Sequence, residues 1–232
     1  MLYFLTHVHT PDATWEPGVE DRVEAWWSEM AQRGLALDGA RLDMSGGAWC
    51  VRGKDKDAVV TDGPFAETKE HVAGYDIIEA ADLDQAIAAA AAHPTTEAGA
   101  IEIRPVAPGM PAPELTEAKP GHERYLMLVC WDQHDDVEIR AEDLPDDGED
   151  PMRGWLQQTG ERRLHGWQLQ PPALATTVRR LDGTTVVTDG PFAETKEQIG
   201  GYDLLEVSDR AEAIAIAAAH GLQTRDLRPV MG

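Results

Sequence analysis

The side chains best suited to chemistry lie in a segment that occurs twice. Val59-Val60-Thr61-Asp62-Gly63-Pro64-Phe65-Ala66-Glu67-Thr68-Lys69-Glu70 returns unchanged as Val186 to Glu197. A Gly-Tyr-Asp follows each copy, at Gly74-Tyr75-Asp76 and Gly201-Tyr202-Asp203. Gly63 and Pro64 make a stiff corner, since glycine reaches backbone angles closed to other residues and proline fixes its own φ. Such a corner can present Asp62, and its copy Asp189, as acid–base carboxylates. Phe65 and Phe192 would anchor the corner. Glu67, Lys69, Glu194 and Lys196 would meet a substrate, with the two lysines holding an anion. Exposed ion pairs are worth only about 0–1 kcal/mol, too little to keep such charges identical in both copies.

Histidines form a second set. His7 and His9 stand two apart on a β-prone run, so they share a face and predict a polar cavity wall. The opening strand of the second half has Val129 instead of an imidazole. A pocket is therefore expected to involve the first half more than the second. No third ligand stands at a fixed offset from His7 and His9, so no metal centre is expected. His93 and His220 end matching helices, where the helix dipole favours a cation, and they read as caps. No phosphate loop, dinucleotide fingerprint or nucleophile elbow is present, so no cofactor is expected.

The elements that must hold these residues follow from periodicity. Leu2 to Val8 predicts a strand. Val19, Val23, Trp26, Trp27 and Met30 recur at helical spacing between Gly18 and Gly34. Leu35 to Met44 predicts a strand. Trp49 to Arg52 and Ala58 to Thr61 predict a hairpin, and Tyr75 to Ala80 another strand. Asp82 and Gln85 have capping-box spacing ahead of an Ala-rich helix. Ile101 to Ile103 closes the half. The order β-α-β-hairpin-β-α-β is a split βαβ pattern.

Residues 107–123 carry four prolines and no apolar period, which marks a linker. The second half repeats the order. Tyr125 to Trp131 predicts its first strand, and Pro151 starts a shorter helix. Thr176 to Leu181 and Thr184 to Thr188 predict a hairpin about Asp182-Gly183. Tyr202 to Val207 predicts a strand, and Asp209 with Glu212 repeats the capping spacing before the last helix. Between strand and helix, Asp132 to Asp150 holds ten acids against Arg140 and reads as a solvated loop.

Charge narrows the partners. With Lys and Arg numbering 20 against 42 Asp and Glu, the net charge is −22. Nucleic acid and anionic membranes are excluded, because both need clustered cations. The cysteines Cys50 and Cys130 form no CxxC and read as core thiols of a reducing compartment, so a cytoplasmic location is expected. No apolar run approaches the roughly 20 residues of a membrane span.

On the paired Asp-Gly-Pro-Phe-Ala-Glu-Thr-Lys-Glu and Gly-Tyr-Asp motifs, the chain resembles a tandem member of the YCII-related proteins, in the branch named for Asp-Gly-Pro-Phe. The resemblance covers both halves. It implies ferredoxin-like units of the dimeric α+β barrel superfamily, some of whose members are lyases, isomerases and dehydrochlorinases. It also implies an acid–base pair of a first-helix His and an Asp before a Gly. Asp62 and Asp189 match that Asp; neither first helix, 18–33 or 151–159, contains a His. Association with an extracytoplasmic-function sigma factor is a further implication of the resemblance.

The resulting expectation is an α+β chain of two ferredoxin-like βαββαβ repeats, each with an extra hairpin. The repeats occupy 1–106 and 124–232 and form an intramolecular dimeric α+β barrel. The expected function is a cofactor-independent lyase or isomerase acting on a small molecule. The alternative is a non-catalytic ligand-binding or regulatory module.

Overall fold

A computed structural model describes residues 1–10, 17–45, 47–63, 71–114, 116–132, 151–193, 195, 197–221 and 224–231. The acidic loop 133–150 and most of the first repeated motif lie outside the described residues. The first half runs β1 (Leu2–His9), α1 (Val19–Gln32), β2 (Ala36–Arg41), β3 (Trp49–Arg52), β4 (Val59–Asp62), β5 (His71–Glu79), α2 (Leu83–Ala92) and β6 (Gly99–Pro105). The second runs β7 (Glu123–Asp132), α3 (Pro151–Thr159), β8 (Arg163–Gln168), β9 (Thr176–Leu181), β10 (Thr184–Asp189), β11 (Glu197–Val207), α4 (Arg210–His220) and β12 (Thr224–Pro229).

The strands form two six-stranded antiparallel sheets, ordered β10-β9-β6-β1-β5-β2 and β4-β3-β12-β7-β11-β8. Each sheet takes four strands from one half and a hairpin from the other. Hairpin β3–β4 pairs with β12, and hairpin β9–β10 pairs with β6. The extra hairpins are thus exchanged between the halves. Strand β8 carries no clear sequence signal, because Gly166 interrupts its alternation.

Alternation along the strands splits the core into layers. Phe4, Tyr75, Ile77, Leu126, Leu128, Tyr202 and Leu204 fill the space between the sheets. Phe4 stacks on Tyr202 at 4.2 Å and on Tyr75 at 5.7 Å. The opposite faces bury Tyr3, Leu5, Ile101 and Ile103 under α1 and α2, and Tyr125, Met127 and Leu205 under α3 and α4. Single bridges Leu42–Val230 and Val106–Leu169 lace two corners of the sheet pair. The halves form one body with pseudo-twofold symmetry.

The expected caps are present. Asp82 accepts the Gln85 N–H at 2.9 Å while Gln85 accepts from Ala81 at 2.8 Å. Asp209 and Glu212 repeat the device, with Glu212 reaching back to Ser208 at 2.9 Å. Such caps satisfy first-turn N–H groups that the helix leaves open. Among the described residues no helix is long and apolar enough to cross a membrane.

The exchanged hairpins explain part of the repeated motif. Gly63 and Gly190 have φ of 100° and 96°, which only glycine adopts without strain. Their N–H groups donate to Ala48 and Ala175 at 2.9 and 2.8 Å. In the second copy the Phe192 N–H donates to Glu102 of the first half at 3.0 Å. Glu102 also accepts from Arg104 at 3.0 Å, and Arg104 donates onward to the Ile199 carbonyl at 2.8 Å. Arg228 repeats this role with Asp226 at 2.9 Å and the Val72 carbonyl at 2.8 Å. Each buried arginine therefore ties its own half to the start of the other's motif-following strand.

Candidate functional site

The helix-side face of β1 carries the most concentrated chemistry. His7 Nε2 lies 2.7 Å from Asp76 Oδ2, across the β1–β5 ladder. His93 Nε2 lies 3.9 Å from the same oxygen. The rings of His7 and His93 are 4.5 Å apart, and Trp26 closes over His93 at 4.5 Å. All three polar residues are buried, although His7 leaves a tenth of its side chain exposed.

Local structure explains this convergence. Gly39 sits opposite Asp76 in the β2–β5 register. A Cβ there would stand 2.2 Å from Asp76 Oδ1, so glycine makes the space the carboxylate occupies. Gly74 faces His7 in the β1–β5 register, and its missing Cβ would lie 3.0 Å from His7 Nδ1. The imidazole leans over that bare backbone. His93 ends α2 and its Nδ1 accepts the Thr95 N–H at 3.1 Å.

These bonds assign the tautomers. The carboxylate accepts, so Nε2 of neutral His7 carries the proton and Nδ1 keeps its lone pair. Nδ1 of His93 accepts, so the His93 proton sits on Nε2, facing Asp76. That N–H makes no hydrogen bond among the described residues. Burial, then the neighbouring His7, pushes His93 down to about 2. His93 is therefore a neutral donor, not the helix-end cation its position suggests.

The ligand atoms of His7, Asp76 and His93 lie within 4.8 Å of one another, close enough to enclose a cation. The hydrogen bonds oppose that use. A metal needs a bare Nε2 on His93, and the Thr95 N–H has already fixed the proton there. The donor set fits proton chemistry, not metal ligation.

The second half holds the same frame without the same chemistry. Asp203 and His220 replace Asp76 and His93, with Trp155 over His220 at 4.6 Å. Gly166 clears the same space beside Asp203 that Gly39 clears beside Asp76. Val129 stands where His7 stands, opposite Gly201. Arg163 binds Asp203 at 2.6 Å instead, from a position that is Ala36 in the first half. Burial raises Asp203, and Arg163 offsets that rise. Burial drives His220 down to about 3, with Arg225 and Arg163 adding to it.

The other residues singled out in the sequence are dispersed. Asp62 is exposed at the end of β4, opposite Trp49, in the sheet that does not contain His7. Asp189 is exposed at the end of β10, in a row through Thr176 and Ile103 to Leu5. That row spans three strand spacings, about 14 Å. Phe192 packs on the core between the sheets. His9 is half-buried at the end of β1, paired with His71, and burial followed by that neighbour lowers its proton affinity. Phe65, Glu67, Lys69, Glu194 and Lys196 lie outside the described residues.

Asp76 has no role in the sequence reading, and His93 reads there as a helix cap. The repeated Gly-Tyr-Asp was the available signal for Asp76. A second His–Asp contact also escapes sequence reading: His165 Nε2 meets Asp38 Oδ2 at 2.8 Å, from equivalent positions in the two halves. Tyr75 donates to the same oxygen at 3.1 Å. This pair ties β2 to β8 across the space between the sheets. The thiols are inert by contrast, since burial pushes Cys50 up to about 12 and raises Cys130 well above the ordinary range.

Comparison with known proteins supplies the relationship. The sequence model of the YCII-related domain matches residues 1–109 and again 127–230. The "Uncharacterized protein R00369" of Rhizobium meliloti (strain 1021) is 46% identical over 50 residues, 22% of this chain and 40% of that protein. The chain thus matches about two fifths of that relative's length.

Proposed function

The chain belongs to the YCII-related domain family, carried twice in tandem, and from that premise we propose that it is a cofactor-independent acid–base enzyme, lyase or isomerase in type, working through His7 and Asp76 in its first half. The observation that carries this reading is the 2.7 Å His7–Asp76 bond beside its dismantled counterpart. Where Val129 replaces His7, the aspartate is neutralised by Arg163. A merely structural aspartate would be served by the same arginine in both halves. The first half instead pairs its carboxylate with an imidazole that keeps about a tenth of its side chain exposed.

In this mechanism His7 Nδ1 takes a proton from a substrate C–H or O–H. Asp76 holds the ring and stabilises the imidazolium that forms. The same proton returns from Nδ1 to the product or to a leaving group. Positioned proton transfer of this kind contributes about 10²–10⁴-fold. His93 stays neutral and directs its Nε2–H toward the carboxylate, so it supports the negative charge without competing for the proton. This reading moves the acid–base role from Asp62 and Asp189 to Asp76. The Asp-Gly-Pro-Phe corner then serves to join the halves.

Deuterium wash-in tests the reading without knowledge of the natural substrate. A panel of small 2-oxo acids, 3-oxo acids and unsaturated lactones is incubated in D2O with the protein and followed by NMR. At least one compound should exchange a carbon-bound proton, and His7→Ala should lower that rate by about 10²-fold or more. Val129→Ala should leave it unchanged. Exchange unaffected by His7→Ala, or no exchange above buffer across the panel, would leave the non-catalytic binding module as the better account.

A further inference from the structure

We infer that Arg41 binds the negatively charged group of the substrate, so that the site takes small carboxylic or phosphoric acids whose reactive hydrogen faces His7. This inference rests on the acid–base reading of His7 and names the substrate class for it.

The argument begins with strand register. Gly74 of β5 pairs with His7 of β1 on one side and with Arg41 of β2 on the other. Directly paired residues share a face, so the three form a row across the sheet. Arg41 Nη1 binds Glu20 of α1 at 2.8 Å, which places its side chain on the helix side with His7. Two strand spacings, about 10 Å, separate the His7 and Arg41 backbones. Gly74, between them, contributes no side chain. A base and a guanidinium therefore flank a stretch of backbone that carries no side chain and is buried at Gly74, where His7 Nδ1 leans over it.

Charge selects the ligand. A guanidinium presents paired donors that match a carboxylate or phosphate. Arg41 and Glu20 are both more than half exposed, at 54% and 70% of their side chains, so their pair is weak and displaceable. A substrate anion would take the place of Glu20. The neighbouring hydrogen would then stand within reach of Nδ1, a few atoms away.

The second half provides an internal comparison. Its row is Val129, Gly201 and Gln168. The glycine remains while the base and the cation are both absent. Paired loss is expected if the two charged residues serve one ligand, and it is unexplained if Arg41 only decorates the surface.

Malonate is a direct probe, with dimethyl malonate as its uncharged control. The His7 ring signals are followed by NMR during titration of each into the full chain. Malonate should shift them saturably, and the ester should not. Arg41→Gln should weaken malonate binding by about tenfold or more, the effect of losing a charge-assisted hydrogen bond. Glu20→Gln should tighten it severalfold by removing the competing carboxylate. Both residues are exposed, so neither variant threatens the fold. Equal binding by the ester, or by Arg41→Gln, overturns the inference. A wash-in rate that depends on His7 but not on Arg41 would remove the anion site and leave the base intact. Malonate binding through Arg41 without any wash-in would keep the anion site and remove the enzyme.

Discussion

At the residue scale, the proposed acid–base role rests on the His7 imidazole. His7 has a carboxylate on one nitrogen, which leaves the lone pair on the other. Its neighbour His93 has the opposite constraint, with one nitrogen fixed by a backbone N–H and the ring buried. The pH dependence of folding follows from the buried rings. His93 and His220 fall to about 2 and about 3 in the folded protein, against an ordinary value near 6.5. Below about pH 6.5 the unfolded chain binds protons that the folded chain refuses. Stability present above 6.5 is therefore lost as the pH falls toward 3, at about 1.4 kcal/mol per pH unit for each ring. Urea unfolding between pH 7 and pH 5 should show that decline. His93→Asn keeps an acceptor for the Thr95 N–H and should remove one ring's share of the slope. A slope unchanged in His93→Asn would contradict the assignment.

At the element scale, the arrangement depends on strand pairings between distant parts of the chain. Helix caps, hairpins and the alternating strands were legible, because each rests on a few neighbouring residues. The Asp82 and Asp209 caps follow directly from spacing. The His7–Asp76 bond was not legible, since its partners lie 69 residues apart and meet only through the β1–β5 register. His93 looked like a helix-end cation because sequence gives position and not burial. Arg163 escaped notice with its strand β8, whose alternation is broken at Gly166. The destination of the hairpins was also hidden, because periodicity marks a hairpin without naming the sheet it joins.

The hairpin junction yields a further prediction at this scale. Glu102 and Arg104 are almost fully buried and join β6 to the Phe192 segment of the other half. Glu102→Ala leaves a buried guanidinium without its carboxylate, a change that costs about 3–5 kcal/mol. Chemical denaturation should show that loss. An effect below about 1 kcal/mol would mean that the junction is not what holds the hairpin.

At the scale of the whole molecule, the exchange of hairpins makes the two halves interdependent. Each six-stranded sheet is completed by strands from the other half, and Asp38 of one half bonds His165 of the other. Fragments 1–106 and 124–232, made separately, should therefore lack a cooperative unfolding transition. Mixed, they should recover one, with the hairpins pairing across the cut linker. Cooperative folding of either fragment alone would show that its hairpin can close on its own sheet. Tandem duplication within one chain also permits the asymmetry seen at the site. One copy can keep the His7–Asp76 pair while the other has Val129 and an Asp203–Arg163 ion pair.

That asymmetry is most directly tested by long-range ¹H–¹⁵N correlation spectra of the imidazole side chains across pH. Neutral His7 should show a protonated Nε2 and a bare Nδ1. His93 should remain neutral to the lowest pH at which the chain stays folded, with its proton on Nε2. A neutral His7 protonated on Nδ1, or a His93 that gains charge near pH 6.5 in the folded chain, would contradict the proposal of His7 as the base.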